Sequence, residues 1–105
     1  MTDNSKTVVV YVTYQGTPET RFDRDYYVNG HLPLVMKCWG RYGLRDVAAF
    51  FPAQDRRGTI AICECIFADE AAVEAAFSSA EVPEVMADVS RFTDATPARS
   101  RAAQL

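Results

Sequence analysis

Residues Thr7 to Tyr14 run Thr-Val-Val-Val-Tyr-Val-Thr-Tyr. Nearly every position is β-branched or aromatic, which favours an extended strand. Alternate side chains of a strand point to opposite faces. Val8, Val10 and Val12 therefore share one side, and Val9, Tyr11 and Thr13 share the other. Both sides are mainly apolar, so this strand needs cover on both faces, as a central strand does. Thr59 to Phe67 makes the same demand. Ile60, Ile62 and Ile66 lie on one side with Glu64, and Cys63 and Cys65 lie together on the other.

The elements between these strands follow from local signals. Gln15-Gly16-Thr17-Pro18 reads as a turn. Asp23 is a good N-cap, so a helix is expected to begin there. Gly30 and Pro33 interrupt its pattern, because proline removes a backbone donor and clashes with the preceding turn. A kink or break is expected near His31, with helix resuming to Trp39 and Gly40 as its stop. Leu44 to Pro52 is a second strand, joined to Thr59–Phe67 by the polar turn Gln54 to Gly58. Asp69 caps a helix to about Ser79, with Ala72, Val73, Ala76 and Phe77 on one face. Pro83 opens a short helix carrying Val85, Met86 and Val89, and Thr96 to Leu105 supplies a last strand.

The order β-α-β-β-α-β is the ferredoxin-like pattern of an α+β fold. Its two helices cover one face of a four-stranded sheet. The other face stays apolar, and large exposed apolar patches are rare on monomers. A homodimer joining the two open faces is the expected solution.

At 105 residues the chain suits one domain, expected over residues 7–105 after a polar, flexible segment 1–6. The net charge of -3 speaks against nucleic acid, which attracts basic surfaces. No apolar run approaches the ~20 residues of a membrane span, and residues 1–6 lack a signal-peptide core, so the expected location is cytoplasmic. Cys38, Cys63 and Cys65 are odd in number, which reads as reduced, structural thiols. No further ligands at metal-binding spacing stand near them, so neither a metal nor a cofactor is expected.

The stretch Phe22 to Leu34 holds the sole histidine, His31, with three aromatic rings before it. The spacing Phe22-x-x-x-Tyr26-Tyr27-x-x-x-His31-x-Pro33-Leu34 resembles the helix signature of the EthD family. Ala61 to Ala71 resembles that family's strand-to-helix segment, and Asp88 to Asp94 its closing segment. Together the likeness spans Val8 to Pro97. It implies a ferredoxin-like protomer of a dimeric α+β barrel, with a pocket between sheet and helices or within the barrel. It also implies breakdown of ethers or aromatic compounds, or cofactor-free isomerisation of lactone- or polyketide-type substrates. Cys63 and Cys65 beside Glu64, and Gly30 before His31, depart from the expected pattern.

His31 is the candidate general acid or base, since its unperturbed pKa suits proton transfer near neutrality. Asp23, Tyr27 and His31 are spaced i, i+4, i+8 and share one face of a regular helix, so Asp23 or Tyr27 is the candidate partner that sets the imidazole tautomer. The plainer alternative has His31 bonding a backbone carbonyl at the kink. Glu64 is a carboxylate among isoleucines, expensive unless paired or protonated, and hence a second candidate acid or base. Its plainer role is a salt bridge at the dimer seam. Tyr11, Tyr26, Trp39 and Phe92, with Asp23, are the candidate pocket wall for a small hydrophobic ligand. The expected function is a cofactor-independent, isomerase- or lyase-type enzyme acting by proton transfer on a hydrophobic carbonyl or aromatic-derived compound. The alternatives are an accessory protein that holds a lipophilic ligand for an oxygenase system, and a haem binder with His31 as axial ligand.

Overall fold

The structure is a computed structural model that describes residues 7–102. The expected flexible segment 1–6 and the last three residues of the expected final strand lie outside the described residues. Four strands form one antiparallel sheet in the order β2-β3-β1-β4: β1 (Val8–Gly16), β2 (Leu44–Phe50), β3 (Gly58–Phe67) and β4 (Pro97–Ala102). The two strands that are apolar on both faces, β1 and β3, are the central pair. The helices are α1 (Arg24–Tyr26), α2 (Leu32–Trp39), α3 (Glu70–Phe77) and α4 (Val82–Asp88). The α+β, ferredoxin-like order read from the sequence is the observed one. No helix among the described residues is long and apolar enough to cross a membrane.

Register explains which side chains meet the helices. Val10 pairs with Cys65, Val12 with Cys63 and Tyr14 with Ala61. From Ala61 onward burial along β3 alternates, with Ala61, Cys63, Cys65 and Phe67 buried and Ile62, Glu64 and Ile66 half-buried. The odd-numbered side chains of β3 therefore point to the helical layer. Tyr11, opposite Glu64, points with it to the open face. The side-by-side sulfurs of Cys63 and Cys65 are 3.6 Å apart in the buried layer.

Tyr14, Phe22, Tyr27 and Phe92 pack edge to face, with ring centroids 4.8 to 5.8 Å apart. Each such contact contributes about 0.5–1.5 kcal/mol beyond area burial. The same region is tied by backbone: Asp23 N–H donates to the Phe92 carbonyl at 2.8 Å, and Thr93 Oγ1 donates to the Arg21 carbonyl at 2.7 Å. These bonds fix the start of α1 against the segment that leaves α4.

The expected interruption takes the form of a π-helical turn, Tyr27–His31, in which Leu32 N–H donates to the Tyr27 carbonyl. Pro33 then sits in the first turn of α2, where a missing N–H is tolerated. Gly30 does not loosen the helix. A Cβ there would meet the Tyr26 ring at 3.0 Å, so the glycine lets that ring lie flat against the turn. As expected, α2 ends at Trp39 with Gly40 as its C-cap, but Gly40 keeps a helical φ of -57 and opens a 3-10 turn, Gly40–Tyr42, which Gly43 ends in a left-handed conformation at φ 114.

A Cβ at Gly43 would lie 2.5 Å from the Ala72 Cβ, whereas one at Gly40 would meet nothing within 4 Å. Gly43→Ala is therefore expected to destabilise the protein by about 2 kcal/mol or more, through strain and overpacking. Gly40→Ala, at a helical φ, should be neutral or stabilise by up to about 1 kcal/mol. Urea midpoints of the two variants check the pair. Equal effects would mean that α3 does not close against the Gly43 turn.

Candidate functional site

A cavity of about 330 Å³ lies between the helical layer and the inner sheet face. Its wall includes Tyr27, His31, Val35 and Trp39 from the π turn and α2, Cys63 and Cys65 from β3, and Val85 from α4. His31, Val35 and Trp39 recur at i, i+4, i+8, so α2 presents one stripe along the cavity. The lining is mostly apolar, with few polar groups, as small-molecule sites tend to be.

His31 is buried, 4% exposed, and its ring stacks on Tyr27 with centroids 5.5 Å apart. Phe92 lies behind it at 4.7 Å. His31 Nδ1 is 2.9 Å from Asp88 Oδ2, and the Tyr26 hydroxyl donates to Asp88 Oδ1 at 2.7 Å. Arg91 approaches the same Oδ1 at 3.5 Å from the solvent side. Asp88 thus receives donors on both oxygens.

The electrostatics set the protonation states. Burial lowers the His31 pKa below its ordinary 6.5, and the hydrogen bond to Asp88 offsets this only in part. Burial pushes the Asp88 carboxyl up, but the bonds from His31 and Tyr26, with the nearby positive charges, outweigh it and hold the pKa below the usual 3.8. Near neutrality the pair is a carboxylate and a neutral imidazole. A carboxylate only accepts hydrogen bonds, so the proton sits on Nδ1 and the lone pair on Nε2. Burial also raises the Tyr27 pKa, so its hydroxyl remains a donor.

Of the residues expected to form the site, His31, Tyr27 and Trp39 meet at the cavity. Tyr26 and Phe92 do not line it but touch the His31–Asp88 pair from outside and behind. Three expectations need correction. Asp23 is an exposed cap: its Oδ1 accepts the Tyr26 backbone N–H at 3.0 Å, as an N-cap carboxylate does. It does not orient His31, because the π turn breaks the regular i, i+4, i+8 face. Glu64 and Tyr11 are on the far side of the sheet, where Tyr11 donates to Glu64 at 2.8 Å. They cannot share a site with His31, since strand alternation puts the sheet between them.

The residue missed was Asp88. A signal was present, because Asp88 falls three positions after the buried Val85 and so on the inward stripe of α4. The structure leaves Met86 48% exposed and Asp88 only 9%. Trp39 adds a second unusual feature: its indole Nε1 is buried with no hydrogen-bond partner among the described residues. An unpaired buried donor costs about 1–3 kcal/mol. Among the described residues, no group of three or more His, Cys, Asp or Glu side chains is placed to hold a metal ion.

The sequence model of the EthD domain matches residues 15–96. The chain belongs to the EthD family. An EthD-like protein from Ralstonia eutropha JMP134 superposes with a TM-score of 0.80 at 22% identity, covering 92% of this chain and 90% of the other. An EthD family protein from Bacillus halodurans C-125 gives 0.65 at 21% identity, covering 91% and 99%. A variant of SnoaB, a cofactor-independent oxygenase from Streptomyces nogalater, gives 0.63 at 10% identity, covering 95% and 96%. At these identities the likenesses show the shared α+β fold alone. No curated protein matches the chain.

The depressed pKa values give this EthD protein a signed pH dependence. His31 contributes stability that is full above its unfolded value of 6.5 and is lost as pH falls through the lower folded value. Asp88 adds a second loss below about 3.8, in the same direction. Urea midpoints should therefore fall between about pH 7 and pH 5 in the wild type, and that step should be absent in His31→Asn. A midpoint that rises over this window would mean that the folded protein favours the imidazolium.

Proposed function

We propose that this EthD protein is a cofactor-independent enzyme that binds a hydrophobic carbonyl or aromatic-derived compound in the cavity and moves a proton with His31. The observation that carries this proposal is the 2.9 Å contact of Nδ1 of His31, a cavity-lining residue, with the buried Asp88 carboxylate. Asp88 is a positioning residue: it holds the Nδ1–H tautomer and stabilises the imidazolium that forms when Nε2 accepts a proton. The substrate's C–H or O–H bond breaks, its electron pair stays on the substrate, and the proton resides on Nε2. Return of the proton to another atom of the same molecule completes an isomerisation. The Tyr27 hydroxyl, protonated and beside the ring, is the candidate donor to the developing oxyanion. The fold likeness to SnoaB supports chemistry performed by side chains alone.

We also propose that a second copy of the chain covers the open sheet face. Ile62, Ile66 and the Tyr11–Glu64 pair are half-buried there, with no helix of the described residues over them. A homodimer would bury this surface and place Glu64 at the seam, already partnered by a hydroxyl rather than bare.

Turnover can be sought without knowing the substrate, by following exchange of α-protons in a panel of aryl ketones and lactones in D2O by NMR. The wild type should catalyse exchange in at least one. His31→Asn, which keeps an N–H toward Asp88 but lacks the base, should lose about 100-fold or more. Undiminished exchange in that variant would remove His31 from the chemistry. Ligand binding with no exchange at all would favour the accessory-protein alternative. In light scattering, the wild type should have twice the 11.7 kDa chain mass, and Ile62→Glu should return it to 11.7 kDa. A wild-type monomer would contradict the sheet-to-sheet pairing.

A further inference from the structure

The cavity has a second polar end, opposite in character to His31. Arg99 lies on β4 opposite Val12, on the helical side of the sheet, and lines the cavity. Its guanidinium stacks over the Phe77 ring at 4.2 Å. Trp39 packs edge-on against the same ring, with centroids 5.1 Å apart. Phe77 therefore holds a permanent cation and an indole in one neighbourhood. Arg99 has no carboxylate within ion-pair distance among the described residues, unlike Arg101 two positions on, which pairs with Glu70. Trp39 Nε1 is the buried side-chain donor left without a partner.

A mostly apolar cavity is thus lined, away from His31, by an arginine exposed to solvent and free of any ion pair among the described residues, and by a tryptophan whose buried indole N–H has no partner there. We propose that Arg99 and Trp39 form the recognition end for a carboxylate, and that the ligand is an organic acid with a flat apolar body. This proposal rests on the cavity being the ligand site, as put forward above. The guanidinium fork matches the two oxygens of a carboxylate, and the indole N–H supplies a further bond to one of them. Trp39 follows His31 by eight residues along α2, about 12 Å at 1.5 Å per residue. The acid group is therefore bound at the end remote from His31, and a body of roughly two fused rings spans the gap between them. Arg99 and Trp39 set which substrates enter and how they lie, and the proton transfer belongs to the other end.

The test compares two ligands with the same body, 2-naphthoate and neutral 2-naphthylmethanol, by titration calorimetry. The wild type should prefer the acid by about tenfold or more. Arg99→Gln should abolish that preference while leaving the affinity for the alcohol unchanged. Trp39→Phe should weaken the acid by several-fold and the alcohol little, and Arg101→Gln should keep the preference. Equal affinities in the wild type, a preference that survives Arg99→Gln, or an equal loss in Arg101→Gln would each overturn the acid-binding assignment alone. If neither ligand binds, the cavity is not a ligand site for flat apolar compounds, and the assignment falls together with the proposed function.

Discussion

Asp88 is the group on which this site depends. A carboxylate buried at the end of α4 is stable only because donors reach both of its oxygens, His31 from the π turn and Tyr26 from α1. That requirement joins segments 57 and 62 residues apart in sequence. It also explains the backbone around it. The π turn brings His31 onto the stripe that faces α4, and Gly30 lets the Tyr26 ring pass to deliver its hydroxyl. The Asp23 and Thr93 bonds to the opposite backbone hold the two segments at the required separation. Removing one partner of Asp88 would leave a buried oxygen short of a donor, a loss of about 1–3 kcal/mol.

The sheet separates two environments that the sequence presents as similar. On the helical side, Val10, Cys63 and Cys65 close the core, and the two cysteines wall the cavity. On the open side, Ile62 and Ile66 surround the Tyr11–Glu64 hydrogen bond. The first environment holds the proposed chemistry, and the second is where a partner subunit would sit. Strand alternation therefore puts Glu64 on the side of the sheet away from the His31–Asp88 pair.

This division marks what was legible in the sequence. The doubly apolar runs at 7–14 and 59–67 identify the central strands, because few other placements cover both of their faces. Asp23 and Asp69 mark their helices because an N-cap is a local interaction, and both side chains accept backbone N–H groups as caps do. The parity of β3 groups Glu64 with the isoleucines, yet it cannot say which side the helices occupy, since both are apolar. For that reason Glu64 and His31 look like possible partners until the layers are seen. The Asp88 contact depends on how α4 docks, a long-range outcome with only a faint local sign, a carboxylate on an apolar stripe. Gly40 caps α2 as expected, yet the position that must be glycine is Gly43, because its backbone is left-handed and α3 brings the Ala72 Cβ against it.

The central claim is a chemical state: near neutrality His31 is uncharged, with its proton on Nδ1 toward Asp88 and its lone pair on Nε2. Long-range ¹H–¹⁵N correlation NMR of the imidazole reads both nitrogens directly. A pyrrole-type shift at Nδ1 and a pyridine-type shift at Nε2, persisting below pH 6.5 and lost in Asp88→Asn, is the expected result. A pyridine-type Nδ1 with the proton on Nε2, or an imidazolium at neutral pH, would show that Asp88 does not set the base.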